Sequence, residues 1–133
     1  MSFYGIRDDL SVPTFPSPVI TPLRSNLVEQ VITKNAAAGT ATVTSNAVDL
    51  STKAGWYMDF TDAGERSVTN PVLSGGVLSF TTNIPAQTDP CVPGGSSWVW
   101  FLDYTTGGYV TGSLTANSGS SLGNRLSSRV VLV

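Results

Sequence analysis

Residues 55–108 read GWYMDFTDAGERSVTNPVLSGGVLSFTTNIPAQTDPCVPGGSSWVWFLDYTTGG, and they decide the fold class. This stretch holds all three tryptophans and the only cysteine. Two strand-like runs frame it, Trp56-Tyr57-Met58-Asp59-Phe60 and Trp98-Val99-Trp100-Phe101-Leu102. In the first, Trp56, Met58 and Phe60 alternate with Tyr57 and Asp59, the period of a strand with one buried face. The second is nearly continuous in apolar residues, which predicts an inner strand covered on both faces. Between them, Val72 to Thr82 places two β-prone runs around Gly75-Gly76. Such a pair can take positive φ at both central positions of a type I′ turn, so a hairpin is predicted. Asn83 to Ser97, with Pro85, Pro90, Pro93 and Gly94-Gly95, reads as a loop. Asp103 to Gly108 reads as a tight turn. There Asp103 accepts from backbone N–H groups two or three residues on, and Gly107 or Gly108 turns left-handed.

Outward from this stretch the pattern stays β. Phe3, Gly5 and Arg7 share one face of an opening strand, Tyr4, Ile6 and Asp8 the other, and Asp8-Asp9 ends it. Residues 11–25 carry four prolines and read as an extended surface connection. Leu27 to Thr33 is apolar at helical spacing too, but its β-branched content predicts one strand. Thr40 to Thr44 reads as an edge or outer strand. Residues 46–53 read as a short strand or turn with Val48 and Leu50 inward. Glu65 to Thr69, Tyr109 to Leu114 and Arg129 to Val133 read as strands, and Asn117 to Ser121 as a flexible Ser/Gly loop. The sum is an all-β chain of antiparallel sheets in a single β domain, residues 1–133. Sandwich, barrel and propeller all fit. Weak self-similarity between the opening strand and Trp100-Phe101-Leu102-Asp103, at about two blade lengths, favours a propeller.

Composition narrows the function classes. A net charge of −2 with seven scattered basic residues gives no footprint for nucleic acid. No apolar run approaches the ~20 residues of a membrane-spanning helix. MSFYGIRDDL shows no secretory signal, so Met1 reads as a start placed on a fragment. The chain has no histidine, so the commonest general base and metal ligand are missing, and a Ser–His–Asp set is impossible. Cys91 is either a free buried thiol or half of a bridge completed outside these residues. With no histidine beside it, Asp89-Pro90-Cys91 reads as structural. The acidic residues Asp59, Asp62 and Glu65 invite a catalytic or calcium reading. Their loop offers too few oxygens for calcium, and no D-x-D-x-D run occurs. Asp8-Asp9 is likewise a turn. Trp98 and Trp100 read as core packing in preference to an aromatic binding shelf. No catalytic, cofactor-binding or metal residue is assigned.

Leu102-Asp103 with Thr106-Gly107 resembles the L-D-x-x-T-G turn of quinoprotein-type propeller repeats, a structural turn that implies no quinone. Taken in order, GWYMDF, GERSVTNPVLSGGVLSFTTNIP and DPCVPGGSSWVWFLDYTTGG resemble the C-terminal part of the PilY/PilC family of type IV pilus biogenesis and tip-associated adhesin proteins. SFYGIRDD, NLVEQVIT and VTSNAVDLSTKAGW extend the likeness over residues 2 to about 110. Arg7 stands where the family has Trp, and the tail from Asn117 has no counterpart. The resemblance implies two to three blades of a quinoprotein-like β-propeller on an exported protein of a Gram-negative bacterium, passing the periplasm to the outer membrane or pilus tip. It implies a non-enzymatic role in pilus assembly with minor pilins and in attachment to surfaces or host receptors. No cofactor is implied. Sheet edges left open in a fragment predict strand pairing between copies. The rival readings are a carbohydrate-binding β-module that uses Trp98 and Tyr104 as a stacking platform, and a fragment of a quinoprotein-like enzyme.

Overall fold

The computed structural model describes residues 1–8, 23–86, 94–113 and 116–131. Cys91, Asp9, Asp89 and residues 11–22 of the Pro-rich connection lie outside them. Nine strands form two sheets, with no α-helix among the described residues. They are β1 (Ser2–Ile6), β2 (Leu27–Gln30), β3 (Ile32–Asn35), β4 (Thr40–Val43), β5 (Gly55–Asp59), β6 (Val72–Ser74), β7 (Val77–Pro85), β8 (Gly95–Asp103) and β9 (Asn117–Ser121). The smaller sheet has the order β1-β5-β2 and the larger β3-β4-β9-β8-β7-β6. Neither closes on itself. Every pairing is antiparallel except β2 with β5. A parallel pair needs a crossover, and the β3–β4 hairpin with residues 44–54 supplies it.

The core lies where the sheets meet. Phe3, Trp56, Met58 and Phe60 of the small sheet and its flank pack on Phe80, Trp100 and Leu102 of the large one. Phe3 is the bridge: its ring stacks 4.2 Å from Phe80 and 6.0 Å from Trp56. Phe80 continues to Trp100 at 6.4 Å, and Trp100 to Trp98 at 6.0 Å. β1 alternates as expected, with Tyr4 and Ile6 outward. Along β5 and just past its end, Trp56, Met58 and Phe60 are buried on one face, but Tyr57 on the other face is buried as well, beneath Arg24. The Gly75-Gly76 hairpin forms with φ of 56° and 83°, and Ser74 directly opposes Val77.

Several expectations are corrected. Leu27 to Thr33 is two strands in different sheets, separated at half-exposed Val31. Residues 23–25 of the expected extended connection lie in a 3-10 turn, Leu23–Asn26. β4 is an interior strand, hydrogen-bonded to β3 on one edge and to β9 on the other, with Ala41 and Val43 buried. Val48 packs on the core, but Leu50 is exposed in a turn. From residues 65–69 only Arg66 makes a bridge, to Asn83. The loop expected from Asn83 is shorter at both ends, since β7 runs to Pro85 and β8 starts at Gly95. β8 is interior but not covered on both faces: Phe101 points outward and is exposed.

The tail is also rearranged. Residues 109–113 form no strand, whereas Asn117–Ser121, expected as a loop, is β9. A Cβ on Gly119 would sit 2.7 Å from the Trp100 ring and 3.1 Å from Ala41, so only glycine lets β9 close over the tryptophan. Residues 129–131 form no strand. The last described run lies on the outer face of β7, held by side chains: Ser127 N–H donates to Asn83 Oδ1 at 2.7 Å, and the Thr81 hydroxyl to Ser128 C=O at 3.0 Å.

The Asp103–Gly108 turn forms as expected and clamps Trp56. Thr105 N–H donates to Asp103 Oδ1 at 2.8 Å, and Trp56 Nε1 donates to Tyr104 C=O at 3.0 Å. Gly107 has φ 72°, and a Cβ there would lie 2.2 Å from the Trp56 ring. Gly107→Ala therefore combines left-handed strain with a clash and destabilises the chain by about 3 kcal/mol. Gly112→Ala has a similar φ, 87°, but open space around it, and costs only about 1 kcal/mol. Urea unfolding followed by tryptophan fluorescence checks the ordering.

Candidate functional site

Two polar constellations stand out, and both are built around basic residues that sequence inspection passed over. The first is buried. β3 alternates, so Lys34 lies on the inward side with Ile32, beneath the turn that carries Asp62 and Glu65. Lys34 Nζ donates to Asp62 Oδ2 at 2.7 Å and to Glu65 Oε2 at 2.6 Å. The Glu65 side chain is fully enclosed, while that of Asp62 is 43% exposed. Thr82 donates to Glu65 Oε1 at 2.6 Å, and Trp100 Nε1 donates to Thr82 Oγ1 at 3.0 Å. The Lys34 ammonium also lies 4.8 Å from the Trp98 ring centre and 5.7 Å from that of Trp100. The inward alternation of Ile32 and Lys34 was the signal that could have found this lysine.

The second constellation covers the outer face of the small sheet. Arg24, on the 3-10 turn, makes a bidentate pair with Asp59 on β5, both bonds at 2.7 Å. Its guanidinium lies 4.6 Å from the Tyr57 ring centre and 6.0 Å from that of Tyr4. The Tyr4 and Tyr57 rings stack at 6.0 Å. Hydrogen bonds from Arg24, and secondarily from Ser2, hold the Asp59 carboxyl below the usual aspartate range. A planar fork stacked on aromatic rings is the side-chain chemistry enriched at protein–protein contacts.

The three acidic residues singled out in the sequence thus separate. Asp59 belongs to the Arg24 face, and Asp62 and Glu65 to Lys34. Trp98 is buried and Tyr104 exposed. They lie six residues apart along and beyond β8, about 20 Å, so they do not form one stacking platform. A third network, centred on buried Gln30, ties the small sheet to the Asp103 turn: its Nε2 donates to Asn46 C=O and to Thr106 C=O, both at 2.8 Å.

A type IV pilus biogenesis factor PilY1 homolog of Xylella fastidiosa is 34% identical over 134 aligned residues, 92% of this chain. The chain belongs to the PilY1-like family. A second Xylella fastidiosa PilY1 homolog is 34% identical over 52% of the chain, and PilY1 of Pseudomonas aeruginosa is 42% identical over 45%. The chain spans only 9%, 7% and 6% of those relatives. No family model matches, and no solved structure matches. The first alignment takes in a larger share of the chain than the family motifs quoted from residues 2 to about 110. No helix among the described residues is long and apolar enough to cross a membrane.

Both constellations are testable in this PilY1-like chain. Lys34→Met strands a buried carboxylate and destabilises by about 3–5 kcal/mol in urea unfolding. Asp59 contributes stability that is present above the ordinary aspartate value of 3.8 and is lost as pH falls through its depressed folded value. Asp59→Asn accordingly removes part of the loss of stability below about pH 4, seen by comparing acid titrations of the two proteins.

Proposed function

We propose that this chain is a non-enzymatic β-module of a pilus-tip-associated factor, which supports type IV pilus assembly and attachment at the bacterial cell surface. The observation that carries this reading is the likeness, across 92% of the chain, to a protein named as a type IV pilus biogenesis factor. Minor pilins are the partners it implies, with surface or host receptors as further ones.

The fold supports a place in a propeller. β6, β7, β8 and β9 follow one another in sequence and are neighbours in the sheet, an antiparallel meander of four strands like a propeller blade. The Leu102-Asp103…Thr106-Gly107 turn leaves the third of them, as such a turn does in a blade. The β3–β4 hairpin continues this sheet beyond β9, which makes it six-stranded.

Contact by strand addition has a site as well. Met1 C=O and Arg7 N–H bond toward the β5 side, to Phe60 and Ala54. By the pleat, the backbone groups of Ser2, Tyr4 and Ile6 face away from β5. No described strand pairs with that edge, and on this reading it is where a pilin strand adds to the sheet.

The test is genetic. In a host that carries the parent gene, deletion of the coding region for this chain is expected to abolish sheared surface pilin on immunoblots and attachment to glass. The intact gene restores both. Normal piliation and attachment in the deletion strain overturn the proposal.

A further inference from the structure

We propose that Lys34 and Asp62 become joined by an intramolecular amide bond within the folded chain, with Glu65 carrying the protons. Lys34 Nζ stands 2.7 Å from an Asp62 carboxylate oxygen and 2.6 Å from Glu65 Oε2. The partners are 28 residues apart and come from different elements, so the fold alone brings them together. The lysine side chain is only 10% exposed, and that of Glu65 is fully enclosed. The Trp98 and Trp100 rings close the site on another side. The Thr82 hydroxyl holds Glu65 by its other oxygen, which leaves Oε2 aimed at the lysine nitrogen.

The chemistry balances without an external reagent. The Lys34 ammonium passes one proton to Glu65 Oε2. The freed amine lone pair attacks Asp62 Cγ and forms the C–N bond of a tetrahedral adduct. Glu65 then delivers its proton to a departing Asp62 oxygen, takes the second proton from the nitrogen and relays it to the same oxygen. The C–O bond breaks and water leaves. An ammonium and a carboxylate become one amide and one water, and Glu65 ends in its starting form.

Two physical effects favour the step. Fixed contact between amine and carboxyl replaces a bimolecular encounter with an intramolecular one, which raises effective concentration by many orders of magnitude. The product also removes a charged pair from a site where one largely enclosed lysine faces two carboxylates, one of them fully enclosed. The exposed side of Asp62 gives the released water a way out. The bond forms once per chain and is not a turnover reaction, and it does not depend on the pilus assignment.

Intact mass spectrometry of the purified folded chain decides the matter. The wild type is expected about 18 Da lighter than its sequence requires, the loss of one water. Peptide mapping is expected to find the Lys34 peptide covalently joined to the Asp62 peptide. Asp62→Ala and Lys34→Arg are expected at full sequence mass, and so is Glu65→Gln, which keeps hydrogen bonding but cannot carry the protons. A wild-type chain at full mass, in a sample shown to be folded by circular dichroism, overturns the proposal. So does a deficit that persists in Asp62→Ala or Lys34→Arg, because it then arises elsewhere. A deficit that persists in Glu65→Gln overturns the role of Glu65.

Discussion

The contact between Phe3 and Phe80 is the interaction on which the rest of this fold depends. Phe3 comes from the small sheet and Phe80 from the middle of the large one, and their rings stack at 4.2 Å. Through them the Trp56 side of one sheet is continuous with Trp100 and Trp98 of the other. Large aromatic side chains carry most of the burial available to a chain of this size, and offset stacking adds to it. A sheet of three short strands is stable only with a hydrophobic face packed against something. Its attachment to the larger sheet is therefore what makes it a defined element.

That attachment demands space as well as area. Trp56 fits only because its neighbours withhold side chains. A Cβ at Gly5 would lie 2.3 Å from the indole, and one at Gly107 2.2 Å. The Asp103 turn thus does two things. It reverses the chain after β8, and it lays a bare backbone against a buried ring while accepting the indole N–H at Tyr104. Gln30, on the neighbouring strand, donates to the same turn at Thr106 C=O. Gly119 repeats the principle at Trp100. The tryptophans and their facing glycines form one packing system, although they are distant in sequence.

The polar features follow from the same architecture. Lys34, Asp62, Glu65 and Thr82 form a charged cluster whose surroundings are the Trp98 and Trp100 rings. It is a costly arrangement that holds because each buried atom has a partner. On the outside, Arg24 lies across Tyr4 and Tyr57 and grips Asp59, which joins the 3-10 turn to the small sheet.

Local chemistry was legible in the residues themselves. The strand alternation of β1 and β5, the Gly75-Gly76 hairpin and the Asp103 turn depend on periodicity and on the φ freedom of glycine, and a single strand or turn expresses both. The order of these words also carried the family. Tertiary structure decided what depends on neighbours. Asn117–Ser121 has the composition of a loop and becomes a strand because Trp100 needs a glycine above it. Leu27 to Thr33 reads as one strand and is divided between two sheets at Val31. β4 reads as an edge and is interior. Nothing local to Lys34 names its partners: it is enclosed by Asp62 and Glu65, 28 and 31 positions away. The physical reason is the same in each case: strand propensity and burial are set by the face and partner a segment meets, and those are chosen by contacts distant in the sequence.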